Sequence, residues 1–518
     1  MTFAGAVLVF WLWSGCVPAS IFSGIADGTI VCPLGFSDFM TAVPLQQQPR
    51  PMAYQAAQAQ SHMSTDMLAG ISGFQRLGYV VMVGYLFLIF SRIFDVKFGF
   101  LHIPGIAYRV FLVMMLLSRA FLPALRHPIG KAMYFLTFWF FLSIPFSMWK
   151  GGSLPVFMEA WLPTFVIFLS VSGMLANFDQ CRKAIFIVAY GLFVLALIAV
   201  FFGNTEESGR LFLTHGKFSN PNEMAQALLM GLPLWWLIYR ESKSMGKKVA
   251  SAGIMFLMLL MISKCGSRGA MITFFVLILM VFVRTSITGK MQVLMSGVAI
   301  FAILLALMPG RLMRRYTTMT EDSEAIPLAG DDYDAGMQAS AITSAQHRRD
   351  LLRRSIKYTF QHPLFGVGPG MFPVAEDADM RSQGFPKGTW QGTHNSYTQV
   401  SSEEGIPAAI AYVLVIIISF RKTSKLYKQT RGDPRLSTIA NCALAVNYCV
   451  IVYAVSVFFD YIAYTSMLSV FAGFAMAMDL HAAAEIARLT VSPAEAQPIP
   501  FTEFRPNWRR PVGVTQEA

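Results

Sequence analysis

Apolar runs long enough to cross a bilayer recur along almost the whole chain, and they leave it few architectures. A hydrocarbon core of ~30 Å is crossed by about 20 helical residues at 1.5 Å per residue, and within it every backbone N–H and C=O needs a protein partner. Thirteen such runs lie near residues 4–24, 68–92, 106–125, 131–148, 154–175, 183–203, 221–239, 248–263, 269–284, 290–308, 405–420, 437–458 and 462–480. The expected fold is an all-α polytopic membrane protein with 12 to 13 transmembrane helices and one large loop. With 55% hydrophobic and 14% charged residues, the composition excludes an ordinary soluble enzyme.

The chain divides into a hydrophobic segment and polar linker (1–67), a first bundle (68–308), a long loop (309–404), a second set of helices (405–480) and a polar tail (481–518) expected to be disordered. The net charge of +12 is a matter of topology and calls for no nucleic-acid partner. Arg421, Lys422, Lys425, Lys428, Arg431 and Arg435 crowd one connection, and Arg240, Lys243, Lys247 and Lys248 another, which assigns both to the cytoplasmic side. The long loop and the connections around Arg210 and Arg268 then fall on the opposite face. Residues 1–25 hold no Lys or Arg, unlike a secretory signal peptide, and whether they cross decides which side the N-terminus occupies. The six cysteines form no CxxC or Cys/His cluster, so no zinc site or disulfide framework is expected.

A loop of roughly 95 residues between spans is too long for a connector and is a functional candidate by length alone. Its stretch HRRDLLRRSIKYTF (347–360) sets Leu351, Leu352, Ile356 and Phe360 on one helical side and cations, including Arg353 and Arg354, on the other. Such a helix either lies on anionic headgroups or roofs a cavity for an anionic lipid-linked substrate. Pro363 stops it, and Gly366, Gly368 and Gly370 allow a tight turn or a close approach to a ligand. The Asp331, Asp332 and Asp334 cluster reads as a solvated loop.

On the same face, two short connections carry arginines: Arg210, followed by His215, Lys217 and Asn220-Pro221-Asn222, and Arg268 in Ser267-Arg268-Gly269. A guanidinium at membrane depth costs about 2.5 to 3.5 kcal/mol on insertion scales and calls for an anionic partner. Its fork suits a phosphate or pyrophosphate; a snorkelling residue or an ion pair with Glu206 or Glu207 is the structural alternative. His394 precedes the next span by about ten residues, where an imidazole can accept a proton from a hydroxyl. Glu403 and Glu404 offer another base, or complement a helix start.

Taken in order, these segments resemble the O-antigen ligase and polymerase superfamily of bacterial membrane glycosyltransferases. SGRLFLTHGKFSNPNEMA (208–225) resembles the family's first Arg loop, SRGA (267–270) its second Arg motif, and RRSIKYTFQHPLFGVGPGMF the close of its large periplasmic loop. His394-Asn395, nine residues, then Gly405-Ile406-Pro407-Ala408 resembles the ligase signature, with Ala408 where Gly, Thr or Tyr is usual. The resemblance implies a fold like the GT-C-like lipid-linked sugar transferases, in the bacterial inner membrane, with a site facing the periplasm. It implies an undecaprenyl-pyrophosphate-linked glycan donor and inverting transfer without metal, cofactor or nucleotide sugar. The acceptor would be lipid A core for a ligase or a growing glycan for a polymerase. On this reading Arg210 and Arg268 hold the pyrophosphate and His394 activates the acceptor hydroxyl. Lys217, His215, Asn395, Arg353, Arg354 and Glu404 are further candidates for substrate contact. A lipid-linked glycan transporter is the reading from another class, and it calls for an internal repeat, of which the sequence has no convincing trace.

Overall fold

The computed structural model describes residues 72–93, 103–206, 209–214, 220–306 and 332–490, almost all of them helical. Five helices come first: α1 (Ser72–Ser91), α2 (Ile103–Leu117), α3 (Pro128–Ser143), α4 (Leu162–Met174) and α5 (Phe178–Phe202). A two-residue hairpin, β1 (Asn204–Thr205) and β2 (Leu211–Phe212), leads to α6 (Pro221–Glu241), α7 (Met245–Lys264), α8 (Arg268–Arg284) and α9 (Ile287–Ala306). The loop contributes α10 (Asp332–Gln361), α11 (Phe372–Ser382) and α12 (Ser396–Glu403). The last three are α13 (Ile406–Thr430), α14 (Ser437–Ser456) and α15 (Ser466–Thr490).

Eight helical stretches among the described residues are long and apolar enough to cross a membrane, which makes the chain an all-α polytopic membrane protein. Twelve of the thirteen expected runs fall on helices, and the run at 4–24 lies outside the described residues. The four helices that do not meet the spanning measure are α2, α6, α8 and α9. Two of them, α2 and α9, appear only as shorter apolar stretches, Gly105–Leu117 and Ile287–Ile300. Two boundaries move. Arg421, Lys422, Lys425 and Lys428 sit on the last turns of α13 rather than in a loop, where cations complement the C-terminal dipole. The last helix also continues past His481 to Thr490, so the expected tail begins later than its apolar pattern suggested.

The central element is α14, most of whose spanning window is buried between α13, α6 and α15. Its fully buried Asn447 donates to the Phe420 carbonyl and to the Thr423 and Ser424 hydroxyls, and its Oδ1 accepts from Arg284 at 2.9 Å. In a low-dielectric interior such a side chain is tolerated only when its donors and acceptor are all used. At the end carrying the basic turns, His127 caps α3: its Nδ1 accepts from the Ile129 N–H, so Nε2 carries the proton toward Asp479 at 3.0 Å. Lys422 reaches the same carboxylate at 2.7 Å, tying α3, α13 and α15 together.

At the other end, the glycine-rich segment after α10 is clasped to the C-terminal end of α12. The Val367 and Gly368 N–H groups donate to the Ser402 and Glu403 carbonyls, and the Ile406 N–H to that of Pro363, all at 2.8 Å. Gly366 (φ 64°) and Gly405 (φ 90°) make this possible: a Cβ would stand 2.3 Å from the Glu403 carbonyl carbon at the first and 2.1 Å from the Leu364 oxygen at the second. Only glycine fits such an approach in the left-handed region. Trp139 of α3 donates to the Leu364 and Glu404 carbonyls, fixing the clasp to the bundle. These glycines therefore serve close backbone packing within the protein.

Candidate functional site

Three chain segments, far apart in sequence, meet at that same end of the bundle. The hairpin places the first: β1 pairs antiparallel with β2, and the turn closes with the Glu206 N–H donating to the Arg210 carbonyl. Arg210 is thereby turned inward, 9% exposed, where Nε donates to the Cys265 carbonyl at 3.0 Å and a terminal nitrogen to Asn222 at 2.8 Å. Asn220 caps α6 by accepting from the Asn222 N–H, with Pro221 in the first turn. The positive end of a six-turn helix therefore lies beside this guanidinium.

The second segment is α10. It packs through Leu351, Ser355, Tyr358 and Thr359, while Ile356 and Phe360 are exposed, 42% and 73%, so the expected apolar side is split. At 100° per residue Arg348 lies on the buried side with Leu351 and Ser355, and Arg353 lies nearly opposite. Arg348 and His347 accordingly line a cavity of about 390 Å³ together with Arg210, Glu206, Asn220, Asn222, Gln391 and His394. Burial first, and then the nearby Arg268 guanidinium, press the Arg348 pKa below its usual value; Asp460 opposes this, and Arg210 adds to the lowering.

His394 supplies the third. It holds a left-handed backbone (φ 50°), uncommon for a non-glycine residue, and its ring stands edge-on to Tyr461 with centroids 5.4 Å apart. Nε2 is 3.5 Å from the Gln391 side-chain oxygen, and Nδ1 is buried with no hydrogen-bond partner among the described residues. Burial, followed by the charges of Arg348 and His347, pushes its pKa down to about 4, so the ring is a neutral free base at physiological pH.

The other sequence candidates divide. Arg268 begins α8 after its Ser267 cap and is half-buried; it stands beside Arg348 and is not among the residues lining the cavity. Asn395 is structural: Oδ1 caps α12 by accepting from Tyr397 and Thr398, and Nδ2 donates to the Phe458 carbonyl. Arg353 pairs with Asp350 and is 80% exposed, and Arg354 pairs with Asp379; neither lines the cavity. Glu404 is buried in the clasp, away from it. His215, Lys217 and Asp331 lie outside the described residues.

Two further buried groups lie at this end of the bundle. Asp460, fully buried, accepts from Gln226 at 3.3 Å and from its neighbour's N–H at 3.0 Å. Burial raises its pKa to about 6 against the pull of the Tyr461 N–H, Arg348 and Arg210. The other is the trio Glu403, Glu404 and Tyr464. Tyr464 Oη bonds both carboxyls, and Glu403 also accepts from the Gly370 and Phe372 N–H groups. Burial pushes Glu403 up to about 7, and burial with the Glu403 charge raises Glu404 well above the carboxylate range. Glu404 Oε2 has no hydrogen-bond partner among the described residues.

The fold and this cavity define a multi-pass membrane protein with an open, cation-lined pocket where a loop helix meets the bundle. Residues 253–413, about a third of the chain, match the family model described as O-antigen ligase, so this stretch is similar to a family of membrane enzymes that process glycans. The matched part takes in Arg268, Arg348 and His394; Arg210 precedes it and is tied to it by geometry. No curated protein matches the chain.

Proposed function

We propose that this protein transfers a glycan from undecaprenyl pyrophosphate to an acceptor hydroxyl on the periplasmic face of the bacterial inner membrane, inverting the anomeric centre. The observation that carries the reading is the convergence of Arg210, Arg348 and His394 on one cavity. Glu206 is the one acid among the lining residues, against two guanidiniums and two imidazoles. Two guanidiniums and the N-terminus of α6 would hold the pyrophosphate and offset the charge that grows as the sugar C1–O bond breaks. Arg268 adds to the same field from behind Arg348.

His394 would take the acceptor proton as the hydroxyl attacks C1 from the face opposite the leaving pyrophosphate. A base with a pKa near 4 is weak; burial is the main cause of the depression, and the charges of Arg348 and His347 add to it. A bound pyrophosphate neutralises those charges and raises the imidazole pKa, so donor binding strengthens the base. Asp460 would then stabilise the imidazolium or the neighbouring guanidinium. The ligase reading takes lipid A core as acceptor, and the polymerase reading a second lipid-linked glycan.

Reconstitution of the purified protein with an undecaprenyl-pyrophosphate glycan and either acceptor tests this. Product on lipid A core means a ligase, and a lengthening ladder a polymerase. Movement of the lipid-linked glycan across the vesicle membrane without product would sink the transferase reading in favour of a transporter.

A further inference from the structure

Between α11 and His394 the chain runs through a short, tightly held loop that exposes two large side chains, Phe385 and Trp390. Two consecutive carboxylates of α11 grip it: Glu376, 1% exposed, accepts from the Thr389 N–H at 2.7 Å, and Asp377 accepts from the Gly388 N–H at 2.7 Å. The next residue, Trp390, has a left-handed backbone (φ 55°), and its side chain hydrogen-bonds to the same Asp377. Arg381 braces that carboxylate from the other side at 2.8 Å. The indole N–H is thus tethered while 57% of the residue remains exposed.

A scattered apolar side chain on a surface needs no explanation. This one is fixed at both backbone and ring, and strained positions that persist cluster at ligand clamps. It is also next to the chamber. Gln391 lines the cavity, Gly392 lies so flat on the Tyr461 ring that a Cβ would stand 2.6 Å from it, and His394 follows two residues later. A flat, rigid aromatic face with its polar atom already satisfied is suited to the axial C–H groups of a pyranose ring, which pack on π-surfaces at little entropic cost. Beside a cavity that would hold the reacting C1, such a face meets the sugars next along the glycan.

We propose that Trp390 is a sugar-stacking platform, a glycan subsite at the mouth of the cavity. The inference rests on the transferase reading for the role of the subsite, though not for its existence. The glycan could belong to the donor or to the acceptor, since the stacking chemistry is the same.

The test is binding of the repeat-unit oligosaccharide of the cell's own surface polysaccharide, freed of lipid, to the full-length protein in nanodiscs. Trp390→Ala should raise Kd about tenfold, Trp390→Phe should largely restore binding, and Arg353→Ala should bind like wild type. In the transfer assay Trp390→Ala should raise one KM with kcat nearly unchanged: the donor KM if the platform holds the donor glycan, the acceptor KM if it holds the acceptor. Absence of oligosaccharide binding by the wild type, or equal binding by Trp390→Ala, overturns the proposal. Binding that depends on Trp390 in a protein that never transfers would leave the subsite standing and defeat the transferase reading instead.

Discussion

The two ends of α12 are built on opposite principles. At the C-terminal end, Glu403 to Gly405 are packed against the glycine segment, with backbone groups paired at 2.8 Å and no room for a Cβ. At the N-terminal end, His394 has a buried nitrogen with no hydrogen-bond partner among the described residues and lines a cavity with two guanidiniums and a second imidazole. Eight helical residues, about 12 Å at 1.5 Å per residue, separate them. The spacing between His394-Asn395 and Gly405 thus has a mechanical meaning: one end anchors the loop to the bundle, and the other presents an imidazole at a set height above it. Close backbone pairing marks the anchor, and cations gathered around an imidazole mark the site.

The comparison breaks most plainly if the site end proves structural. His394→Ala should cut transfer by about 10²- to 10⁴-fold, the usual scale of general base catalysis, with thermal stability unchanged; initial rates and a melting curve on the same sample check both halves. Arg348→Ala should also cost transfer heavily, whereas Arg353→Ala should stay within about twofold. Equal losses would mean that the charge of α10, and not its buried side, is what matters.

The anchor end should fail differently. Gly366→Ala places a side chain at positive φ against the Glu403 backbone, where strain alone is worth about 1 to 3 kcal/mol. The expected outcome is a lower melting temperature and a poor yield of folded protein, with the surviving fraction still turning over. Normal stability of that variant would show that the clasp is not an anchor.

Two pH effects separate the ends more finely. Glu403 and Glu404 have raised pKa values in the folded protein, so it holds more protons than the unfolded chain, and stability is lost as pH rises from the ordinary carboxylate range through about 7 and beyond. Glu404→Gln keeps a partner for Tyr464 without a charge and should flatten the alkaline side of the melting profile. His394 has the opposite sign, with a depressed pKa, so its contribution is present above the ordinary imidazole value and fades as pH falls toward 4. The acid limb of kcat/KM, which reports the free enzyme, should lie near pH 4, and that of kcat distinctly higher, because bound pyrophosphate relieves the charge around the ring. Coincident limbs would remove the coupling between donor and base.

Much of this was legible in the sequence. Apolar runs give the spans because a bilayer enforces one length and one backbone solution, and Asn220-Pro221 announces the start of α6 by its capping chemistry. What was hidden depended on facing. Arg348, Arg353 and Arg354 are alike in a string of letters, and only the phase of the helix relative to Leu351 and Ser355 separates the one that enters the cavity; that phase was available, but Ile356 and Phe360 pulled the apolar side the wrong way. Asp460 reads as a polar group of the short connection before the last span, but no pattern around it gives its partners. The clasp joins Gly366 to Glu403 across a stretch with no local signature, so of the two readings of that glycine, a tight turn or a close approach to a ligand, the sequence could not show that what approaches it is the protein's own backbone.

The most direct test of the account is the affinity of undecaprenyl pyrophosphate for the wild-type, Arg348→Ala and Arg353→Ala proteins in nanodiscs, measured side by side at one salt concentration. The account predicts at least a tenfold weakening for Arg348→Ala and almost none for Arg353→Ala. Equal affinities in all three, or equal weakening in both variants, would contradict it.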